Sequence, residues 1–181
     1  MDDDPKSVAW IRQQFDAEQR IFEADGAPGF ASREQIAHKT GRAILDAMMS
    51  GELPYPPMNE TMNMTLLEVD DGRAVFQGIP LLQHYNPLGT VHGGWFATLL
   101  DSALGCAVQT MLPAGRSYTT AELSINIVRP ASDKTGPLRA VATVVHSGHQ
   151  MTTAEARVED ANGKLYAHAT TTCFVFDVPA A

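Results

Sequence analysis

The sequence predicts an α+β fold: an antiparallel sheet of about six strands wrapped around one long central helix, with an N-terminal helical extension. Three observations carry this expectation. Between Gly93 and Gly115 an apolar run with helical periodicity contains a single charged residue, Asp101. Short segments of strand character, bounded by turn residues, lie on both sides of that run. The first 58 residues instead carry helix-cap and proline signals and half of the net charge of −8.

In the extension, residues 1–58, Val8, Ile11, Phe15, Ile21 and Phe22 lie among charged neighbours and predict an amphipathic helix over 7–25, ended by Ala24-Asp25-Gly26-Ala27-Pro28-Gly29. A second helix is expected from Ser32, which with Gln35 forms a capping-box pattern, through Ile36, Ile44, Leu45, Met48 and Met49. Gly51 and Pro54-Tyr55-Pro56-Pro57 stop it and form a stiff linker. These helices read either as outer packing or as a lid over a pocket.

A second unit is expected over 59–178. Thr61–Val69 and Arg73–Ile79 flank Asp70-Asp71-Gly72, a hairpin signal. Pro80 then leads into a loop holding His84, Asn86 and His92. After the central helix, Tyr118–Val128 alternates strictly, with Glu122, Ser124 and Asn126 on one face and Leu123, Ile125 and Ile127 on the other; by that parity Thr120 joins Glu122. Strands are expected over Leu138–His146, Met151–Glu159 and Lys164–Phe176, the last two joined at Asn162-Gly163.

The central helix holds the candidate chemistry. Trp95, Leu99, Leu100, Leu104, Val108 and Met111 recur at helical spacing, and Phe96, Ala97, Ala103 and Ala107 fill much of the remaining circumference. Gly94, Thr98, Asp101 and Gly105 form one stripe of small or polar residues, suited to close approach of a backbone or ligand. Asp101 is either a structural cap or pair for a neighbouring strand, or a functional acid. Gly93 and Gly94 leave first-turn N–H groups open, where the helix dipole favours an anion or developing oxyanion. Gly93 and Asp101 lie eight residues apart, about 12 Å along the axis and about 80° around it. One helix cannot aim both at one atom. If they cooperate, they come from two antiparallel chains, which predicts a two-fold dimer with two equivalent sites.

The run Asn86-x-x-Gly89-x-x-His92-Gly93-Gly94, followed by Asp101 and a strand ending Arg129-Pro130, resembles the PaaI-like (phenylacetyl-CoA thioesterase-like) acyl-CoA thioesterases of the hot-dog fold. The resemblance covers roughly Arg73 to Phe176. It implies hydrolysis of an acyl- or aryl-CoA to a carboxylic acid and free CoA. Asp101 would act as general base or nucleophile, and the partner's Gly93 N–H would polarise the carbonyl. It implies that Asn86 and His92 hydrogen-bond the loop and orient the thioester, and that Thr120 reaches the partner's acid or the attacking water. For the CoA phosphates it points to Arg129, Lys134 and Arg139 around one loop region, and to the turn Gly148-His149. Relatives often carry Gly followed by Arg or Lys there, so His149 is a departure that makes the contact pH-sensitive. Gly94 and Trp95 complete the substrate candidates; Trp95, Phe96, Met62, Met64 and Tyr85 read either as an apolar pocket or as core. A dimer of dimers is common among similar proteins.

The net charge of −8 falls mostly in the first 73 residues, which hold 14 acids and 7 bases, against 7 and 6 in residues 74–181. No basic stripe supports a nucleic-acid partner. The acidic start has no apolar signal core and no stretch reaches membrane-spanning length, so a cytoplasmic protein without a membrane role is expected. Cys106 and Cys173 read as core thiols, and no metal or organic cofactor is implied beyond CoA as part of the substrate. Two alternatives stand beside the thioesterase: a non-catalytic acyl-CoA-binding or sensing domain, and a dehydratase, whose Asp/His motif is missing.

Overall fold

The computed structural model describes residues 4–178; Met1, Asp2 and Asp3 of the acidic start and the last three residues lie outside the described residues. Helix α1 (Pro5–Glu23) begins at Asp4, whose carboxylate accepts from the Lys6 and Ser7 N–H groups, with proline in the first turn where no backbone donor is needed. The capping box at Ser32 and Gln35 forms, but it opens only the four-residue α2 (Arg33–Ile36). The single helix expected from Ser32 to Met49 is two helices. Thr40 caps a new one, α3 (Gly41–Ser50), by accepting from the Ala43 N–H.

The break has a packing cause. Gly41 lies so close to the core helix that a Cβ there would sit 1.8 Å from the Gln109 carbonyl oxygen, and its N–H donates to Leu112 O at 2.8 Å. Gly41→Ala is therefore expected to push α3 off the core helix and destabilise the protein by about 2–3 kcal/mol. Thermal or denaturant unfolding checks this, and an unchanged midpoint would contradict it.

A second correction concerns the first strand. Residues 58–62 form a short helix, α4 (Met58–Met62), ended by Asn63 at φ 50°. Asn63 donates its side-chain amide to Ile79 O, and so ties the start of β1 (Met64–Asp70) to the end of β2 (Arg73–Gly78). The expected hairpin turn forms, with Gly72 at φ 69°. The remaining elements are α5 (Gly93–Thr110), β3 (Arg116–Ile127), β4 (Leu138–Ser147), β5 (Met151–Asp160) and β6 (Leu165–Asp177), and all six strands join one antiparallel sheet in the order β1-β2-β4-β5-β6-β3.

The inner face of this sheet is lined by small residues, among them Ala74, Ala140, Ala142, Ala154, Ala156, Ala167 and Ala169, all buried. Small residues there let α5 approach closely and pack Trp95, Phe96, Leu99, Leu100, Leu104 and Val108 into the sheet's concavity. Burying those six side chains supplies roughly 1.5–3 kcal/mol each before entropy is counted. Hence α5 is a core helix, as its two-sided apolar pattern requires.

Helix α1 lies on the outer face. Gln77 of β2 is fully buried beneath it, donating to Trp10 O (2.8 Å) and Gln14 Oε1 (3.0 Å) while accepting from Arg139 Nε (2.9 Å). The Arg139 guanidinium stacks 4.0 Å over the Trp10 ring and also bonds Gln13. A buried amide satisfied on both sides fixes the register of α1 on the sheet.

Strand β3 is an edge. It pairs with β6 on one side and, among the described residues, with nothing on the other. Its twelve residues present a long row of open backbone donors and acceptors, which ordinarily invites a partner strand.

Candidate active site

The loop before α5 is shaped by Asn86. Its Oδ1 accepts from the Leu88 N–H (2.9 Å) and the Thr90 N–H (3.3 Å), and its Nδ2 donates to Thr90 Oγ1 (3.0 Å). Gly89 sits at φ 79°, which favours glycine. Asn86 thus organises the loop, and its side-chain groups are largely committed to that task. The loop is anchored beyond itself by Val91 N–H to Ala131 O and His92 N–H to His84 O.

His84 is a satisfied core histidine. Its Nδ1 accepts from the Leu81 N–H at 3.0 Å, so Nε2 carries the proton and donates to Thr61 O at 2.9 Å. The ring stacks on Trp95, whose indole N–H donates to Met62 O. Trp95, one of the substrate candidates, is almost wholly buried and packs against the Gly78 backbone, so its chief role is in the core.

His92 is the N-cap of α5. Its Nδ1 accepts from the Gly94 N–H at 2.8 Å, and a Cβ on Gly94 would fall 2.9 Å from that nitrogen. Gly94 therefore serves the cap. The cap takes Gly94's donor and leaves the Gly93 N–H without a hydrogen-bond partner among the described residues. A free N–H at the positive end of a long helix is a ready donor to a developing oxyanion.

Asp101 lies two turns along the same helix and is half-buried. Thr120 Oγ1 donates to its Oδ1 at 3.1 Å, leaving Oδ2 without a partner among the described residues. The parity expectation for Thr120 is overturned here, and the reason is a β-bulge. The register steps from Thr120↔Cys173 directly to Glu122↔Thr172, so Ala121 is an extra residue and Thr120 turns inward with Leu123 and Ile125 while Glu122 faces out. The bond is also made within one chain, to the chain's own acid. Thr120→Val is expected to cost about tenfold in kcat, the equivalent of one modest hydrogen bond to a carboxylate. Steady-state kinetics against the unaltered protein checks it.

Tyr118, two residues earlier on the inner face, escaped the sequence reading. Its oxygen rests against Gly105, where a Cβ would fall 2.3 Å away. Gly105, in an otherwise apolar helix, signalled a close approach without saying by what. Burial, with the nearby Cys106, Cys173 and Asp101 adding to it, holds the Tyr118 phenol protonated well above its ordinary range. Cys106 and Cys173 are free thiols; burial and the Asp101 charge push the Cys106 thiol up to about 12.

The CoA-phosphate candidates are not all together. Arg129 is exposed just beyond β3, at the Gly93 end of that strand, with its guanidinium 5.9 Å over the Tyr166 ring. Lys134 lies in the adjoining loop, which Tyr85 pins by accepting from the Asp133 N–H and donating to its carboxylate. Arg139 is elsewhere, held by α1 on the outer face. Gly148 and His149 form the β4–β5 turn beside Arg116, at the opposite end of β3 from Gly93. A Cβ on Gly148 would lie 2.8 Å from Met151 O, which explains the glycine.

A family model described as the thioesterase superfamily matches residues 88–167, which hold the α5 N-terminus, Asp101 and Thr120. A relative in Saccharolobus solfataricus that carries the name of an esterase is 31% identical over 109 residues, 60% of this chain and 75% of its own length. The chain belongs to the thioesterase superfamily. A similarly named relative in Halobacterium salinarum is 40% identical over 80 residues, 43% of this chain; the chain spans about half, 51%, of that protein. Among solved structures, a phenylacetic acid degradation-related protein from Ralstonia eutropha is 30% identical at a TM-score of 0.65, covering 71% of this chain and 97% of its own. The phenylacetic acid degradation protein PaaI of Thermus thermophilus, solved as a point mutant, is 29% identical at 0.59, covering 65% and 97%. The sheet wrapped on α5 is the hot-dog fold of these thioesterase relatives, as the motif implied. The family match spans α5, β3, β4, β5 and the start of β6, whereas residues before 88, including Asn86, β1, β2 and the N-terminal helices, fall outside it.

Proposed function

We propose that the protein is an acyl-CoA thioesterase that works as a homodimer through β3. The observation that carries this reading is the pairing of a carboxylate oriented by Thr120 with an unpartnered helix N-terminal N–H at Gly93, on one family-matched helix.

The edge strand supplies the geometry. A Cβ on Gly93 would lie 3.2 Å from Ile127 Cδ1, so the donor stands at the end of β3, while Asp101 is bonded at Thr120. Antiparallel pairing of two β3 strands with the two-fold axis near Leu123 and Ser124 brings one chain's Thr120 opposite the partner's Ile127. Asp101 then faces the partner's Gly93. The same operation carries the partner's Gly148 and His149 towards Arg129, a composite site for the CoA phosphates.

In this arrangement Asp101 accepts a proton from water, and the hydroxide attacks the thioester carbonyl. The Gly93 N–H donates to the tetrahedral oxyanion; the C–S bond then breaks, and the CoA thiolate leaves with the proton. Alternatively Asp101 attacks the carbonyl carbon directly and the C–S bond breaks to release the CoA thiolate, leaving a mixed anhydride that water hydrolyses to the product acid and the free Asp101 carboxylate.

The test is thiol release from a panel of short-chain, medium-chain and aryl-CoAs, with the acid identified chromatographically. Turnover with stoichiometric acid and thiol supports the reading. Acyl-CoA bound but not turned over would make the protein a binding or sensing domain, and an enoyl-CoA product would make it a dehydratase.

A further inference from the structure

Beside α5 lies a cavity of about 390 Å³ that the N-terminal extension builds. Its floor is Met64, Leu66 and Phe76 at the β1 edge with Cys106 of α5, and its walls are Met48, Met49, Ile21 and Phe22 of α3 and α1. The two helices clasp at their C-terminal ends, where Gly51, at φ 82°, lets its backbone approach Ile21 and Ala24. All but Cys106 of the lining precedes residue 88 and so lies outside the family match.

We propose that this cavity receives the acyl tail of the substrate and selects an uncharged, medium-length chain; the inference rests on the thioesterase reading. Three observations lead there. Thr98, Ser102 and Cys106 fall on one ridge of α5 at successive turns, so the floor begins one turn beyond Ser102, the neighbour of Asp101. A cavity of this volume with an apolar lining holds a chain of several methylenes, each worth burying. At the mouth stand the exposed Glu18 and Glu60, and no Lys, Arg or His is among the lining.

The carboxylates are fixed. Thr65 Oγ1 and Gln14 Nε2 donate to Glu18 Oε1 at 2.7 and 2.9 Å, and Tyr55 OH donates to Glu60 Oε1 at 2.8 Å. A tail ending in a second carboxylate would meet two like charges and no Lys, Arg or His as counter-ion, whereas a methyl end brings no charge to them and keeps its burial against the methionines, Leu66 and Phe76.

The experiment compares kcat/KM for butanoyl-CoA, decanoyl-CoA and the ω-carboxyl counterpart of decanoyl-CoA, in the unaltered protein, Met49→Trp and Glu18→Gln/Glu60→Gln. Decanoyl-CoA is expected to exceed butanoyl-CoA at least tenfold. Met49→Trp, which fills the cavity, is expected to remove that advantage. The ω-carboxyl substrate is expected to run at least tenfold slower than decanoyl-CoA, and the Gln pair to narrow this gap. A chain-length advantage that survives Met49→Trp, or equal rates for the two tails, overturns the proposal. Calorimetric binding of decanol keeps the two readings apart. If no thioester is hydrolysed, the thioesterase reading fails and the cavity's place in it fails too. If thioesters are hydrolysed but decanol does not bind, the cavity proposal alone falls.

Discussion

Replacing Asp101 by Asn is expected to lower kcat about a thousandfold while acyl-CoA still binds, within the span that a positioned general base contributes. The substitution keeps shape and size and can keep a hydrogen bond to Thr120, so the helix and its stripe stay as they are. What it removes is the acceptor for the water proton and the anionic nucleophile alike. No neighbouring group replaces either. Cys106 is a thiol that burial, the larger cause and the one left in the variant, pushes up, and Tyr118 is a buried neutral phenol. Thiol release by the variant, with acyl-CoA binding measured separately by calorimetry, checks the prediction. A fall of less than tenfold would return Asp101 to a structural role. Single-turnover hydrolysis in oxygen-18 water then divides the two chemistries, since label entering the Asp101 carboxylate marks the anhydride and its absence leaves the general base.

The central helix and the strand segments along the chain are legible because burial on both sides of α5 and alternation along the strands are written in residue type. The sites of failure are where tertiary contact overrides local pattern. A helix from Ser32 to Met49 is locally reasonable, yet Gly41 has to meet the Gln109 carbonyl, and the chain restarts its helix at Thr40 to do so. Parity puts Thr120 with Glu122 and the resemblance gives it the partner's acid, whereas in the structure it faces inward and donates to Asp101 of its own chain. Nothing in the run Thr119-Thr120-Ala121-Glu122 announces a bulge, which belongs to the β3–β6 pairing and not to either strand alone. Arg139 reads as one of three cations around the loop before its strand and is instead held on the outer face by Trp10 and Gln77, a contact between segments far apart in the chain. The free Gly93 N–H, by contrast, needed both sources. The double glycine suggested an open helix start, and the His92 cap decides which of the two donors stays open.

Gly93→Pro is expected to lower turnover by about 10²–10³-fold without unfolding the protein, the range found for loss of one oxyanion donor. Few backbone donors can be deleted so cleanly. Gly93 is the first residue of α5, where proline is favoured because no intrahelical N–H is required. His92, at φ −62° and ψ 141°, already has the extended conformation that a following proline imposes. An added side chain would meet only the flexible end of Ile127. The decisive step is to mix this variant with Asp101→Asn after dissociation and reassociation. In a mixed dimer with sites shared across the two-fold, one site combines the intact acid of one chain with the intact N–H of the other, and the second site has neither. Two inactive proteins are then expected to recover about a quarter of the unaltered activity at equal mixing, since half the dimers are mixed and each has one working site of two. If the acid and the donor served the same site from a single chain, every chain would carry one lesion and mixing would restore nothing. Recovery therefore reads the across-chain geometry directly, and its absence, with mixed dimers demonstrated by mass, would overturn the pairing of Asp101 with the partner's Gly93.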